Sequence, residues 1–304
     1  MRGVFVDANE ALAVIFERLT KPGDPEVSIH RDPDVTSDQL ADVLGGAEIA
    51  IVDHTALPTE VARKCSGLKH VVFLGTGARS YMNPEELAEL GIAVHLIRGY
   101  GDTAVAESTI ALMWAAARGI AQMDREMRAG NWLREDGMQL TGKTLGLIGF
   151  GGIAAEVARI ALGGGMRVIA WNRSPKKSSK VELVELDELL TESDVVSLHL
   201  LLNDETRGFI SRACIEAMKP GVILVNTARG ALVDEDAMIE ALQSGQIRHA
   251  GLDVFNIEPL PVDHPLTKLP NVTLSAHSAF RTPEASENLI EAAWQHCRRI
   301  VKGK

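Results

Sequence analysis

The sequence predicts an α/β fold built on parallel sheets, one of them doubly wound. Two observations carry this expectation. Short apolar runs alternate with helical periodicity along most of the 304 residues, as strands joined by crossover helices do. A glycine-rich turn then interrupts the alternation near the middle of the chain, between an apolar strand and a helix.

The alternation begins at once. Strands are expected at Val4 to Val6, Ile49 to Val52, His70 to Leu74 and Ala93 to Leu96, with helices at Ala11 to Leu19, Pro58 to Lys64 and Pro84 to Leu90. These elements make a separate first domain. Thr103 to Arg118, rich in alanine with Val105, Ile110, Leu112, Met113 and Trp114, predicts a long, largely buried helix bridging the domains. Ile120 to Leu140 is charged and interrupted by Gly130 and Gly137, so it reads as an arm.

Next, Thr144 to Ile148 forms an apolar strand that enters Gly149, Phe150, Gly151, Gly152, Ile153 and Ala154. A helix from Ala155 to Leu162 and a strand from Arg167 to Trp171 follow. Gly149 permits the tight turn, Gly151 lets a pyrophosphate approach the backbone, and the helix N-terminal amides meet its charge. Ala154 stands where a third glycine is usual. Spacing and context together indicate dinucleotide binding.

The second strand of such a unit ordinarily ends on an acid that binds the ribose 2′-hydroxyl. Here the position holds Asn172, followed by Arg173, Ser174, Lys176 and Lys177. Loss of the carboxylate removes repulsion against a 2′-phosphate, and a guanidinium grips phosphate oxygens in pairs. NADP(H) is therefore expected ahead of NAD(H).

Further strands are expected near Val195 to Leu200, Val222 to Asn226, His249 to Asp253 and Val272 to Leu274, and an amphipathic helix from Pro283 onward. Polar residues gather just past these strands, where open α/β sheets bind ligands. Three form a chemical set: Arg229, Glu258 and His277. A ketone that receives hydride needs a proton donor. Histidine titrates near neutrality, and a neighbouring carboxylate favours its charged form. Arginine suits the carboxylate and carbonyl of a 2-keto acid. Each alone has a structural reading; three at successive strand ends point to catalysis. His199 is expected to be structural or to lie on the cofactor side.

Composition narrows the class. With 46% hydrophobic and 24% charged residues the chain has material for two cores, and its net charge of −10 argues against a nucleic-acid surface. Three cysteines, Cys65, Cys214 and Cys297, lack zinc or dithiol spacing. No metal site is expected. No signal-like segment opens the chain, and no apolar run reaches the ~18 residues of a membrane span, so a cytoplasmic setting is expected.

The motifs resemble those of the D-isomer-specific 2-hydroxyacid dehydrogenase family over essentially the whole chain. They are Asn-Thr-Ala-Arg-Gly-Ala-Leu-Val-Asp at 226–234, Gly-Leu-Asp-Val-Phe with Glu-Pro-Leu-Pro within 251–261, and the His277 loop ending Thr-Pro-Glu-Ala at 282–285. The resemblance implies a Rossmann-type doubly wound domain at 103–282 inserted into a smaller, flavodoxin-like substrate domain at 1–102 and 283–304, with substrate in the cleft. It assigns Arg229, Glu258 and His277 as the catalytic triad. Gly75, Thr76 and Gly77 would bind the substrate carboxylate through their N–H groups. Cofactor contacts would come from Thr109, Gly149, Gly151, Gly152, Ile153, Asn172, Arg173, Ser174, Leu200, Leu201, Thr206, Thr227, Ala228 and His277. Asp253 would hold the carboxamide.

Leu201 departs from the pattern, replacing a usual proline, as does Asn172. The extra C-terminal regulatory module of many phosphoglycerate dehydrogenases is not expected here, so a reductase of the glyoxylate or hydroxypyruvate type is the better match. A homodimer through the 103–118 helix and the 120–140 arm is implied. The alternative is a nicotinamide-sensing regulatory protein on the same fold, which the intact triad disfavours. Arg79 and Arg98 remain open between a second anion contact and a solvated surface charge.

Overall fold

All strands in the structure, a computed structural model that describes residues 1–174, 178 and 180–303, run parallel to their neighbours. The chain divides into two units, Met1–Gly101 with Arg281–Lys304, and Asp102–Phe280.

The first unit runs β1 (Arg2–Phe5), α1 (Glu10–Leu19), β2 (Glu26–Ile29), α2 (Leu40–Leu44), β3 (Ile49–Val52), α3 (Thr59–Ala62), β4 (His70–Phe73), α4 (Pro84–Glu89) and β5 (Ala93–Leu96). Its sheet order is β2-β1-β3-β4-β5, the flavodoxin-like arrangement. β3 is buried throughout because helices cover both faces, which explains its unbroken apolar sequence. The C-terminal helix Pro283–Val301 packs its apolar stripe on α1: Phe16 and Trp294 stack at 4.2 Å, and the indole N–H donates to Phe16 O at 3.1 Å. Asn9 caps α1 by accepting the Leu12 N–H at 3.0 Å.

The second unit contains α5 (Asp102–Arg118), α6 (Ile120–Arg128), β6 (Thr144–Ile148), α7 (Gly152–Gly163), β7 (Arg167–Trp171), β8 (Glu182–Leu183), α8 (Leu186–Glu192), β9 (Val195–Leu198), α9 (Arg212–Ala217), β10 (Val222–Asn226), α10 (Glu235–Ser244), β11 (Ile247–Leu252) and β12 (Val272–Leu274). The order β12-β11-β10-β9-β6-β7-β8 reverses direction between β6 and β9, the switch point at which such sheets open a crevice. Register aligns the strand ends in one row: Leu274, Leu252, Asn226, Leu198, Ile148 and Trp171. Every loop that carries a candidate residue of this unit, apart from Thr109 on α5, leaves from that row.

Several elements differ from expectation. β2, α2 and β8 were not anticipated, since none has a long apolar run. The helix after the glycine turn starts at Gly152 rather than Ala155, because its first turn is made of the turn residues themselves. The segment read as an arm opens with a helix, α6, none of whose side chains is buried. α5 lies within the second unit, packed on α7, β10 and β11. Among the described residues, no helix is long and apolar enough to cross a membrane, and no group of three metal-binding side chains could hold an ion.

Candidate active site

Gly149 sits at φ +93°, a left-handed conformation that disfavours side chains, and a Cβ there would lie 2.6 Å from His199 O. Its N–H donates to Trp171 O at 2.9 Å, tying the turn to the end of β7. Gly151 has no atom within 4 Å of the place a Cβ would take, so its open side admits a phosphate to the backbone. These features fit a nicotinamide dinucleotide at the α7 N-terminus.

Asn172 completes the turn. Its Oδ1 accepts the Phe150 N–H at 3.0 Å and its Nδ2 donates to Ser174 O at 2.7 Å. Arg173 is ion-paired with Glu205 of the loop after β9. Lys176 and Lys177 lie outside the described residues. In the 201–206 loop the Thr206 hydroxyl donates to Leu201 O at 2.7 Å and accepts the Asn203 N–H at 2.8 Å. Leu200 is half-buried, and Leu201 projects into solvent. Thr109 and Thr227 are buried against each other, their hydroxyls 2.8 Å apart, so they brace α5 against the loop after β10. His199 is held neutral, its pKa lowered to about 4 by burial, with Nε2 3.0 Å from the Ser197 hydroxyl. That is a structural setting.

Three loops meet beyond β10, β11 and β12. Asp253 N–H donates to Asn226 O at 3.0 Å, and the Asn226 side chain donates to Arg229 O at 2.9 Å while accepting the Ala228 N–H at 3.0 Å. Gly230 lies so close to the next loop that a Cβ would fall 2.1 Å from Phe255 C. Glu258 Oε1 accepts the Phe255 N–H at 2.9 Å, and its Oε2 lies 2.6 Å from His277 Nδ1. The structure thus brings Glu258 and His277 into direct contact and sets the Arg229–Gly230 turn against the same loop. The Arg229 guanidinium donates through Nη1 to Ala228 O at 2.6 Å, and its other nitrogens have no partner among the described residues.

His277 adopts φ +47°, the one non-glycine residue with positive φ among the described residues. Such backbone costs on the order of 1 kcal/mol and persists only where surroundings impose it. Asp253 imposes it. The buried carboxylate accepts the Ser275 hydroxyl at 2.5 Å and the Ser278 and Ala279 N–H groups at 3.0 Å each, and its own carbonyl accepts the His277 N–H at 2.8 Å. Both carboxylate oxygens therefore serve the His277 loop, a role that sequence reading did not assign. An imidazole held through Nδ1 by a carboxylate directs Nε2 outward, where it can deliver or take a proton.

The Asp102 carboxylate rests against Gly152, whose Cβ would lie 1.9 Å from Oδ2, and burial with Glu156 nearby raises its pKa.

In the first unit, the Gly75 N–H, expected to bind substrate, donates to Phe73 O at 2.8 Å, because the chain turns back on itself directly after β4. The Thr76 and Gly77 N–H groups have no partner among the described residues. Arg79 pairs with Glu85 on the surface, whereas Arg98 is exposed without a partner among the described residues.

A family model described as D-isomer specific 2-hydroxyacid dehydrogenase, NAD binding domain, matches residues 110–279. The chain is 39% identical over 259 residues to a hydroxypyruvate reductase of Thermotoga maritima, covering 83% of this chain and 84% of that one. It is 44% identical over 228 residues to a glyoxylate reductase of Aeropyrum pernix, covering 71% and 68%. Among solved structures, an acyclic imino acid reductase in complex with NADPH and D-Arg superposes with a TM-score of 0.87 at 30% identity, covering 100% of this chain and 98% of that one. The chain belongs to the D-isomer-specific 2-hydroxyacid dehydrogenase family and is a nicotinamide-dependent oxidoreductase acting on the CH–OH group of its donors.

Proposed function

We propose that the protein reduces a small 2-keto acid of the glyoxylate or hydroxypyruvate type to the D-2-hydroxy acid, using NADPH in preference to NADH. The observation that carries the reading is the 2.6 Å contact between His277 Nδ1 and Glu258 Oε2, which leaves Nε2 free to protonate a carbonyl oxygen. The bound nicotinamide supplies the hydride. Arg229, whose guanidinium has nitrogens to spare, binds the substrate carboxylate and polarises the carbonyl. In the first unit, the Thr76 and Gly77 N–H groups are suited to a carboxylate oxygen. Asp253 holds the His277 loop in place. Hydroxypyruvate and glyoxylate are favoured as substrates by the names of the relatives above.

The cofactor preference rests on Asn172, which stands at the end of β7 where an acid would repel a 2′-phosphate, and on the Arg173 guanidinium beside it, and is supported by the NADPH bound to the structural relative. A homodimer is supported by Ile120, Met127 and Trp132, large apolar side chains exposed on the 120–140 segment that a second copy would cover. Steady-state oxidation of NADPH and NADH with glyoxylate and hydroxypyruvate, four combinations in all, tests the reading. A higher kcat/KM with NADPH is expected for at least one of the acids; no turnover with any combination would refute it.

A further inference from the structure

We propose that Glu205 sets cofactor selectivity by competing with the 2′-phosphate for Arg173, an inference that rests on the NADP(H) reading above. The two residues come from opposite sides of the glycine turn. Arg173 follows β7, Glu205 lies in the loop after β9, and β6, whose end forms the turn, stands between those strands. Their ion pair therefore spans the adenosine end of the dinucleotide site.

The pair is held by backbone on both sides. Asn172 fixes the chain before Arg173 through Phe150 N–H and Ser174 O. Asn203 Oδ1 accepts the Glu205 and Thr206 N–H groups, each at 3.0 Å, so Glu205 sits in a closed turn. Trp171 stacks on Phe209 at 5.1 Å, clamping the end of β7 to the segment that carries Glu205. Both charged side chains are nevertheless exposed, 69% for Arg173 and 72% for Glu205. An exposed pair of this kind is weak and exchanges readily.

A 2′-phosphate offers Arg173 more charge and more acceptor oxygens than one carboxylate does. On NADPH binding the guanidinium leaves Glu205 for the phosphate, and the released carboxylate turns out into solvent. With NADH the phosphate is absent, and Glu205 accepts a hydrogen bond from the ribose 2′-hydroxyl. It thereby supplies, from the β9 side, the acid missing at Asn172. One pair so serves both cofactors, and Glu205 tempers the preference that Arg173 creates.

The test is calorimetric titration of NADPH and NADH into the wild type, Glu205→Gln, Arg173→Ala and the double variant, without substrate. Glu205→Gln should tighten NADPH by about fivefold and weaken NADH by about twofold, magnitudes suited to one exposed charge. Arg173→Ala should weaken NADPH by about tenfold or more, and in its background the gain from Glu205→Gln should fall below about twofold. If Arg173→Ala weakens NADPH while Glu205→Gln changes neither affinity, the role of Glu205 is wrong and the phosphate reading stands. If Arg173→Ala leaves NADPH binding unchanged, the phosphate reading fails and the role of Glu205 falls with it.

Discussion

Glu258 holds His277 by two connected bonds: Oε2 lies 2.6 Å from the imidazole Nδ1, while Oε1 accepts the Phe255 N–H at 2.9 Å. The carboxylate is thus fixed by backbone before it fixes the ring. Glu258→Gln keeps the shape but replaces an ionic acceptor with an amide. It should lower kcat with 2-keto acid by about 10²-fold, the scale of a misoriented acid–base group, and shift the pH profile of kcat. Cofactor affinity measured by titration should stay within about twofold of wild type.

Arg229 should not tolerate lysine. A single ammonium cannot reproduce the fork that grips a carboxylate, so Arg229→Lys should reduce kcat/KM for the keto acid by about 10²-fold, mostly through KM. Equal kcat/KM for the two proteins would remove Arg229 from substrate binding.

Gly230 meets the backbone of Phe255 and Asn256, which cannot swing aside as a side chain can. Gly230→Ala should cost about 1–3 kcal/mol, seen as a fall in Tm of roughly 2–4 °C per kcal/mol for a unit of this size. Activity should fall further than stability, because the displaced loop carries Glu258. Denaturation and turnover measured on one preparation separate the two effects.

Asp253→Ala leaves the Ser275 hydroxyl and the Ser278 and Ala279 N–H groups without their acceptor. Loss of a buried charged acceptor costs about 3 kcal/mol. The variant should lose thermal stability and turnover together, with faster hydrogen exchange at 275–279.

Two histidines of the first unit give stability opposite pH limits. His54 is raised from 6.5 to about 9, chiefly by the Asp53 carboxylate and also by buried Asp7. Its folded pKa exceeds the unfolded one, so its contribution is complete below pH 6.5 and is lost as pH climbs through about 9. His95 is lowered from 6.5 to about 4 by burial, with His296, His70 and Arg299 adding repulsion. Its contribution is lost as pH falls from 6.5 toward 4. Tm against pH should fall on both sides; His54→Gln should flatten the alkaline limb and His95→Gln the acid limb.

Much of this was legible in the sequence because the signals are local. Gly149 to Gly152 sit between an apolar strand and a helix, and Arg229, Glu258 and His277 each follow an apolar strand within a few residues. β2 was not legible, since its alternating half-buried and exposed residues carry no apolar run. α6 was read as part of an arm because its sequence is charged and a glycine follows it closely, although Ile120, Met123 and Met127 recur at helical spacing; none of its side chains is buried. The engagement of the Gly75 N–H with Phe73 O depends on chain reversal that glycine allows but does not announce. Pairings across the sheet edge were least accessible: Arg173 with Glu205 spans 32 residues and Asp253 with Ala279 spans 26, distances that only the aligned strand ends close.

The proposed proton donor is His277. The most direct measurement is NADPH oxidation with glyoxylate or hydroxypyruvate by wild type and His277→Ala, beside calorimetric titration of NADPH into both. Turnover should fall by about 10²- to 10⁴-fold, the contribution of a positioned general acid, with NADPH affinity retained. Wild-type turnover by His277→Ala would rule out His277 as the proton donor.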